Sequence, residues 1–287
     1  MLTMDKKLSN FDYFIFDLDG TLYNDKKEIL PSTSKWLKEL QNRGKNIIIA
    51  TGRPYYMNYQ LIHDLNIEFP LIAVNGSMIY DPKNKEVLYF KSIKPKIAKK
   101  ILAYLENNKM DYLGYTDKMM VGCNVNNPYW FNFMIYPKID KSNPYRWNYH
   151  EGFYANISDQ YSFGKFLLIT EKINPKLIDN LKELVKKYSK DIYLVESQKG
   201  VIDIMPQGVS KGDTLKKLAQ LKHIDLSRCV AFGDADNDKE MISNAGFGVA
   251  MGNAVEQTKK VAKFITKNNN EDGIAHFIEM LVNNEKS

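Results

Sequence analysis

At 287 residues the chain can bury a substantial apolar core, as one large domain or as a core carrying a second domain. Its 44% hydrophobic and 26% charged residues are a globular composition and exclude a disordered chain. A formal charge of +6 leaves anionic partners open, yet the lysines lie on scattered helix faces, such as Lys94, Lys96, Lys99 and Lys100, where solvation is the ordinary explanation. No zinc-finger spacing, glycine-bounded KH loop or RNA-binding motif is present, so no nucleic-acid partner is expected. The two cysteines, Cys123 and Cys229, are far apart, and Cys229 sits in an apolar run that suits a buried free thiol. His63, His150, His223 and His276 show no ligand spacing. The first residues reach charge before any apolar segment and no run is long enough to cross a bilayer, so a cytoplasmic protein with no membrane partner is expected.

In chain order, Phe11 to Phe16 reads as a strand ending in the turn Asp17-Leu18-Asp19-Gly20-Thr21. A helix starts near Pro31, with Trp36, Leu37 and Leu40 on one face and Gly44 as its stop. Asn46 to Ala50 and Leu71 to Val74 read as further strands, ending at Thr51-Gly52-Arg53 and Asn75-Gly76. Between Tyr80 and Val201 the rhythm changes. Short strand candidates stand at Val87 to Phe90, Tyr112 to Tyr115, Trp130 to Tyr136, Phe166 to Thr170 and Ile192 to Val195, with helices at Pro95 to Asn107 and Pro175 to Tyr188. An inserted α+β domain with irregular loops accounts for this stretch. After Val201 to Met205 the α/β alternation returns, with a helix over Lys211 to His223 and a strand over Cys229 to Phe232. A helix through Met241, a strand over Phe247 to Ala250, a helix from Ala254, a short strand near Ala262 to Ile265 and a final helix over Gly273 to Val282 follow. The fold class is therefore α/β, a parallel-sheet core assembled from residues 1–80 and 201–287 around an inserted domain at 81–200. Open parallel sheets bind ligands beyond the carboxyl ends of their strands, where the polar motifs fall.

The densest chemical signal is FDLDGTL, Phe16 to Leu22. Residues two apart in extended backbone project to one side, so Asp17 and Asp19 can face one site. A divalent cation relieves their repulsion, and aspartate can attack phosphorus as a covalent nucleophile. A polar turn with Gly20 at its bend is the plain alternative. GDADND, Gly233 to Asp238, repeats the pattern, with Asp234 suited to a metal and Asp238 either a further ligand or a group that orients one. An acidic helix start explains one or two of these acids but not the set. Thr51 and Gly52 offer a hydroxyl and backbone donors beside a helix start, a fit for phosphate that is also an ordinary turn. Lys211 opposes the dipole of the helix it begins and needs an anion to offset it, unless it is a surface lysine.

Taken in order, these segments resemble the four motifs of the haloacid dehalogenase-like hydrolase superfamily. The large insert between the second and third motifs, with the Ser-Lys-Gly form of the third, is similar to Cof-type sugar phosphatases with a C2B-type α+β cap. The resemblance implies a Rossmann-like core with Asp17 as nucleophile and Asp19 as general acid and base. It implies Mg2+ held by the side chain of Asp17, the backbone carbonyl of Asp19 and the side chain of Asp234, with Asp238 assisting. Thr51, Gly52 and Lys211 are then expected at the phosphoryl group, and Asn75, Gly76 and Asn237 near the substrate or the surrounding network. Asp236 is expected to point to solvent.

The function expected is a magnesium-dependent phosphomonoester hydrolase for small phosphorylated metabolites, such as sugar phosphates or cofactor phosphates. The inserted domain would close over the chemistry and select the leaving group, with Tyr112, Tyr115, Trp130, Phe131 and Trp147 supplying rings that serve either as core or as substrate contacts. A phosphomutase using the same aspartates and a non-catalytic sugar-phosphate sensor are the alternatives. A monomer or weak homodimer is expected.

Overall fold

The computed structural model describes residues 6–124, 149–198 and 200–286. It begins with β1 (Tyr13–Phe16), α1 (Pro31–Asn42), β2 (Asn46–Ile49), α2 (Tyr59–Asp64), β3 (Leu71–Ala73) and β4 (Met78–Asp81). Next come β5 (Glu86–Phe90), α3 (Pro95–Asn107), β6 (Tyr112–Thr116), β7 (Met120–Cys123), β8 (Tyr149–Glu151) and β9 (Phe163–Ile169). After α4 (Pro175–Lys186), β10 (Ile192–Gln198) and β11 (Val201–Pro206), the chain runs through α5 (Lys211–Lys222), β12 (Cys229–Gly233) and α6 (Lys239–Asn244). It closes with β13 (Phe247–Ala250), α7 (Glu256–Val261), β14 (Phe264–Ile265) and α8 (Gly273–Lys286). Contacts divide the chain into two units. Met1–Gly52, Leu61–Glu86 and Ser210–Ser287 form the first, and Arg53–Gln60 with Val87–Val209 form the second.

The first unit is built on a parallel five-stranded sheet in the order β14-β13-β12-β1-β2. Its central strands are unbroken apolar runs, as strands covered on both faces require: Phe14 to Phe16, Ile47 to Ile49 and Val230 to Phe232 are all buried. Phe16 stacks on Phe232 at 4.9 Å, and Phe277 of α8 meets Phe232 edge-on at 5.4 Å. A parallel bridge between Ala50 and Ile72 carries β3 alongside the end of β2, and β3 pairs antiparallel with β4. The strand expected over Leu71 to Val74 stops at Ala73, because Val74, Asn75 and Gly76 all take positive φ, at 53°, 52° and 99°. A left-handed turn replaces the last strand residue.

The second unit is a mixed six-stranded sheet in the order β10-β11-β9-β6-β7-β8, antiparallel except where β7 meets β8. Both α3 and α4 begin with proline at a position where a missing N–H costs nothing. Their apolar faces, including Ile101, Leu105, Leu181 and Val185, pack with Tyr112, Phe166, Leu168 and Ile204 of the sheet. Tyr112 is thus a core residue, and Tyr115 is also buried. The strand expected at Trp130 to Tyr136, and Phe131 and Trp147, lie outside the described residues. β4, β7 and β8 had no counterpart among the expected strands. β11 pairs with β10 and β9, so it belongs to the second unit, whose last residue is Val209 where the sequence suggested 200. Tyr56, four residues past Gly52, donates its hydroxyl to the Thr116 carbonyl at 3.4 Å and ties Arg53–Gln60 to this unit. Among the described residues, no helix is long and apolar enough to cross a membrane.

Candidate active site

β1 and β12 are adjacent and parallel, so their carboxyl ends deliver Asp17 and Asp234 side by side. The Asp17 amide donates to the Phe232 carbonyl at 3.1 Å, which fixes the exit of β1 against its neighbour. Lys211, the first residue of α5, is buried and donates to Asp17 Oδ1 at 2.6 Å and to Asp238 Oδ1 at 2.7 Å. Those two carboxylates offset both the cost of burying an ammonium and its conflict with the helix dipole. Asp238 uses its other oxygen, Oδ2, to accept from the Asp234 and Ala235 amides, each at 3.0 Å. It therefore shapes the loop that carries Asp234 while holding Lys211. Thr21 donates to Asp234 Oδ1 at 2.9 Å. Gly20 lies at φ 88°, and a Cβ there would run into the Asp234 carboxylate. Only glycine lets the first acidic turn approach the second this closely.

Asp17, Asp234 and Asp238 each bring a carboxylate oxygen within 4.8 Å of the others. Three carboxylates around one ammonium leave negative charge uncompensated. The electrostatics register this: burial pushes Asp17 well above the usual carboxylate range, Lys211 opposes the rise, and Asp238 and Asp234 add to it. Asp234 is pushed up to about 6 by burial and by Asp238, against the Thr21 hydrogen bond. Burial works against the Lys211 charge, but Asp17 and Asp238 outweigh it and raise its pKa, so it remains an ammonium. The donor set is all hard oxygen, which fits a divalent cation of the magnesium type.

Around this cluster stand the other expected residues. Thr51 is buried at the end of β2, its amide donating to the Ile72 carbonyl at 2.9 Å and its carbonyl accepting from the Asn75 amide at 3.0 Å. Asn75 Oδ1 accepts from Asn237 Nδ2 at 3.2 Å and lies where a side chain on Gly52 would stand. The Gly76 carbonyl accepts from the Thr214 hydroxyl of α5 at 2.7 Å. These bonds link the ends of β2 and β3 to the start of α5 and to the loop after β12. The Asp19 side chain is not one of the three carboxylates that come within 4.8 Å of one another; it pairs with Lys27 Nζ at 2.8 Å and adds to the rise of Asp234. Asp236 is exposed and pairs with Lys239 at 2.9 Å, as its expected solvent-facing position requires.

Sequence reasoning named the carboxylates and Lys211 but missed Thr21 and Lys27. Thr21 lies inside the first motif, where its hydroxyl was a readable signal. Lys27 lies in an aperiodic turn, and nothing in the sequence links it to Asp19.

Residues 14–278 match the model of the haloacid dehalogenase-like hydrolase family. The chain is 30% identical to phosphatase YwpJ of Bacillus subtilis, over 93% of this chain and 98% of the relative. It is 27% identical to 5-amino-6-(5-phospho-D-ribitylamino)uracil phosphatase YitU of the same organism, over 92% of this chain and 94% of the relative. A haloacid dehalogenase-like hydrolase from Bacteroides thetaiotaomicron superposes with a TM-score of 0.81 at 28% identity, covering 94% of this chain and 99% of that structure. With the acidic loops of two adjacent parallel strands meeting at one buried lysine, and a family match spanning nearly the whole chain, this protein belongs to the haloacid dehalogenase-like hydrolases.

Proposed function

We propose that the protein is a magnesium-dependent phosphatase that hydrolyses monoesters of small phosphorylated metabolites through an aspartyl-phosphate on Asp17. The observation that carries this reading is the buried Lys211 ammonium shared by Asp17 and Asp238 beside Asp234. It pairs a nucleophile with a fixed cation and an oxygen donor set at the carboxyl ends of parallel strands. Asp17, the Asp19 carbonyl and Asp234 would hold magnesium with Asp238 in support, and the bound ion would supply charge neutralisation among carboxylates and phosphoryl oxygens.

Asp17 attacks phosphorus through a carboxylate oxygen while the bond from phosphorus to the ester oxygen breaks. Asp19 gives its proton to the departing alcohol. It then takes a proton from water, whose oxygen bonds to phosphorus as the Asp17–phosphorus link breaks, freeing inorganic phosphate and Asp17. Lys211 remains charged throughout and, with Thr51 and the Gly52 backbone, holds the phosphoryl oxygens. Asn75, Gly76 and Asn237 brace the turn beside them. Selection of the leaving group is assigned to the inserted unit, which we read as a cap of the C2B type. YitU is named for a phosphorylated ribityl compound, which supports a polyhydroxylated leaving group here; sugar phosphates and cofactor phosphates are the classes to test.

The test is magnesium-dependent phosphate release from sugar phosphates, nucleotides and cofactor phosphates by the native protein and by Asp17→Asn. Release that vanishes in the variant and on chelation is the expected result. Folded native protein that binds such esters and frees no phosphate would sink the reading, leaving isomerised product to mark a mutase and binding alone to mark a sensor.

A further inference from the structure

The turn that follows Asp17 is clasped from outside by asparagines that the chemistry above does not use. Asn253, just past β13, donates from Nδ2 to the Gly20 carbonyl at 2.8 Å. Its Oδ1 accepts from the Asn269 amide at 3.0 Å. Asn269, buried in the loop after β14, donates from Nδ2 to the Tyr23 carbonyl at 3.1 Å and to Asp25 Oδ1 at 3.2 Å. Asn270 completes a two-way pair with Asp25, donating to Oδ2 at 3.0 Å and accepting from the Asp25 amide at 3.1 Å.

The stretch that carries Asn253 is also fastened to the other acidic loop. The Met251 amide donates to the Gly233 carbonyl at 3.0 Å, and the Val255 amide to the Asp234 carbonyl at 2.9 Å. One short segment therefore spans the loops of Asp234 and Asp19, reaching from β13 past β12 to the end of β1 in the sheet order. The clasped turn contains Thr21, which touches Asp234, and ends near Lys27, which pairs with Asp19. A shift of this turn would move both contacts.

We propose that Asn253 and Asn269 are positioning residues, which set the Asp19 turn against Asp234 and so fix where the general acid stands. An amide side chain suits this task because one group donates and accepts at once. The kinetic part of this inference rests on the phosphatase reading; the structural part does not.

The test uses full-length Asn253→Asp and Asn269→Ala. Asn253→Asp keeps the shape and the acceptor for Asn269 but loses the donor to Gly20. In metal-free protein, amide exchange at Leu22 and Tyr23, which bond back to the Asp17 and Leu18 carbonyls, should quicken by about tenfold while β13 and α8 keep their native rates. With magnesium, kcat for p-nitrophenyl phosphate should fall by about tenfold or more with KM within about twofold. Unchanged exchange overturns the proposal, and so does faster exchange with native kcat, which marks a purely structural clasp. Should Asn269→Ala not fold, the exposed Asn253→Asp decides. Should the native protein release no phosphate, the phosphatase reading fails and exchange alone judges the clasp.

Discussion

Lys211 is the residue on which the charge balance of the site turns. Replacing it by methionine strands the buried Asp17 and Asp238 carboxylates, so we predict a loss of about 3 kcal/mol in urea unfolding of the metal-free protein, together with at least about a hundredfold loss of phosphate release. Stability retained within error in Lys211→Met would show that the two carboxylates find another partner. The raised acids give a second prediction. Asp234 is held up to about 6 in the folded chain against 3.8 unfolded, and Asp17 moves the same way, so the folded state binds these protons more tightly. Their contribution favours the fold at acid pH and is lost as pH rises through that interval. Magnesium needs the deprotonated acids, so its addition should raise Tm more at about pH 7.5 than at about pH 5; an equal rise at both would separate the metal from these carboxylates. At this scale the sequence was legible where chemistry repeats in a motif, as in Asp17, Asp234 and Asp238, whereas the Asp19 side chain, expected to face one site with Asp17, pairs with Lys27. The sequence was silent on Asn253 and Lys27, because a single asparagine or lysine in an aperiodic loop acquires meaning only from a partner far away in the chain.

Among the elements, the turn after β3 carries three successive residues at positive φ, Val74, Asn75 and Gly76. Val74 is β-branched and still adopts φ 53°, a costly choice that places Asn75 and Gly76 against the start of α5. A Cβ on Gly76 would collide with the Ser210 carbonyl, so Gly76→Ala should destabilise by about 1–3 kcal/mol and lower Tm, while also displacing Lys211 from Asp17 and reducing turnover. Native Tm and turnover in that variant would mean the turn can yield without consequence. Helices such as α3, whose bounds Pro95–Asn107 match the sequence reading, were legible because proline marks the start and an apolar stripe marks the face. β7, and the sheet to which β11 belongs, were not. β7 is short and carries Gly122, and β11 is apolar enough to suit either sheet, so only its pairing with β9 and β10 assigns it.

Viewed as a whole molecule, the chain divides into two compact units. Helices α3 and α4 supply the second unit with its own packed cluster, so an isolated chain of residues 87–209 should unfold cooperatively on heating, followed by circular dichroism. A featureless melt would mean that Arg53–Gln60, with Tyr56 on Thr116, is indispensable to it. The order β14-β13-β12-β1-β2 also has a consequence for the chain as it leaves the ribosome. β1 finds β2 early, but its other edge is reserved for β12, which is made only after the whole insertion has been translated. The insertion can collapse during that wait, while a strand of Tyr-Phe-Ile-Phe stays open on one side. Newly made chains are thus most prone to aggregate between completion of the second unit and arrival of Cys229, which makes that interval the one in which a chaperone has most to protect.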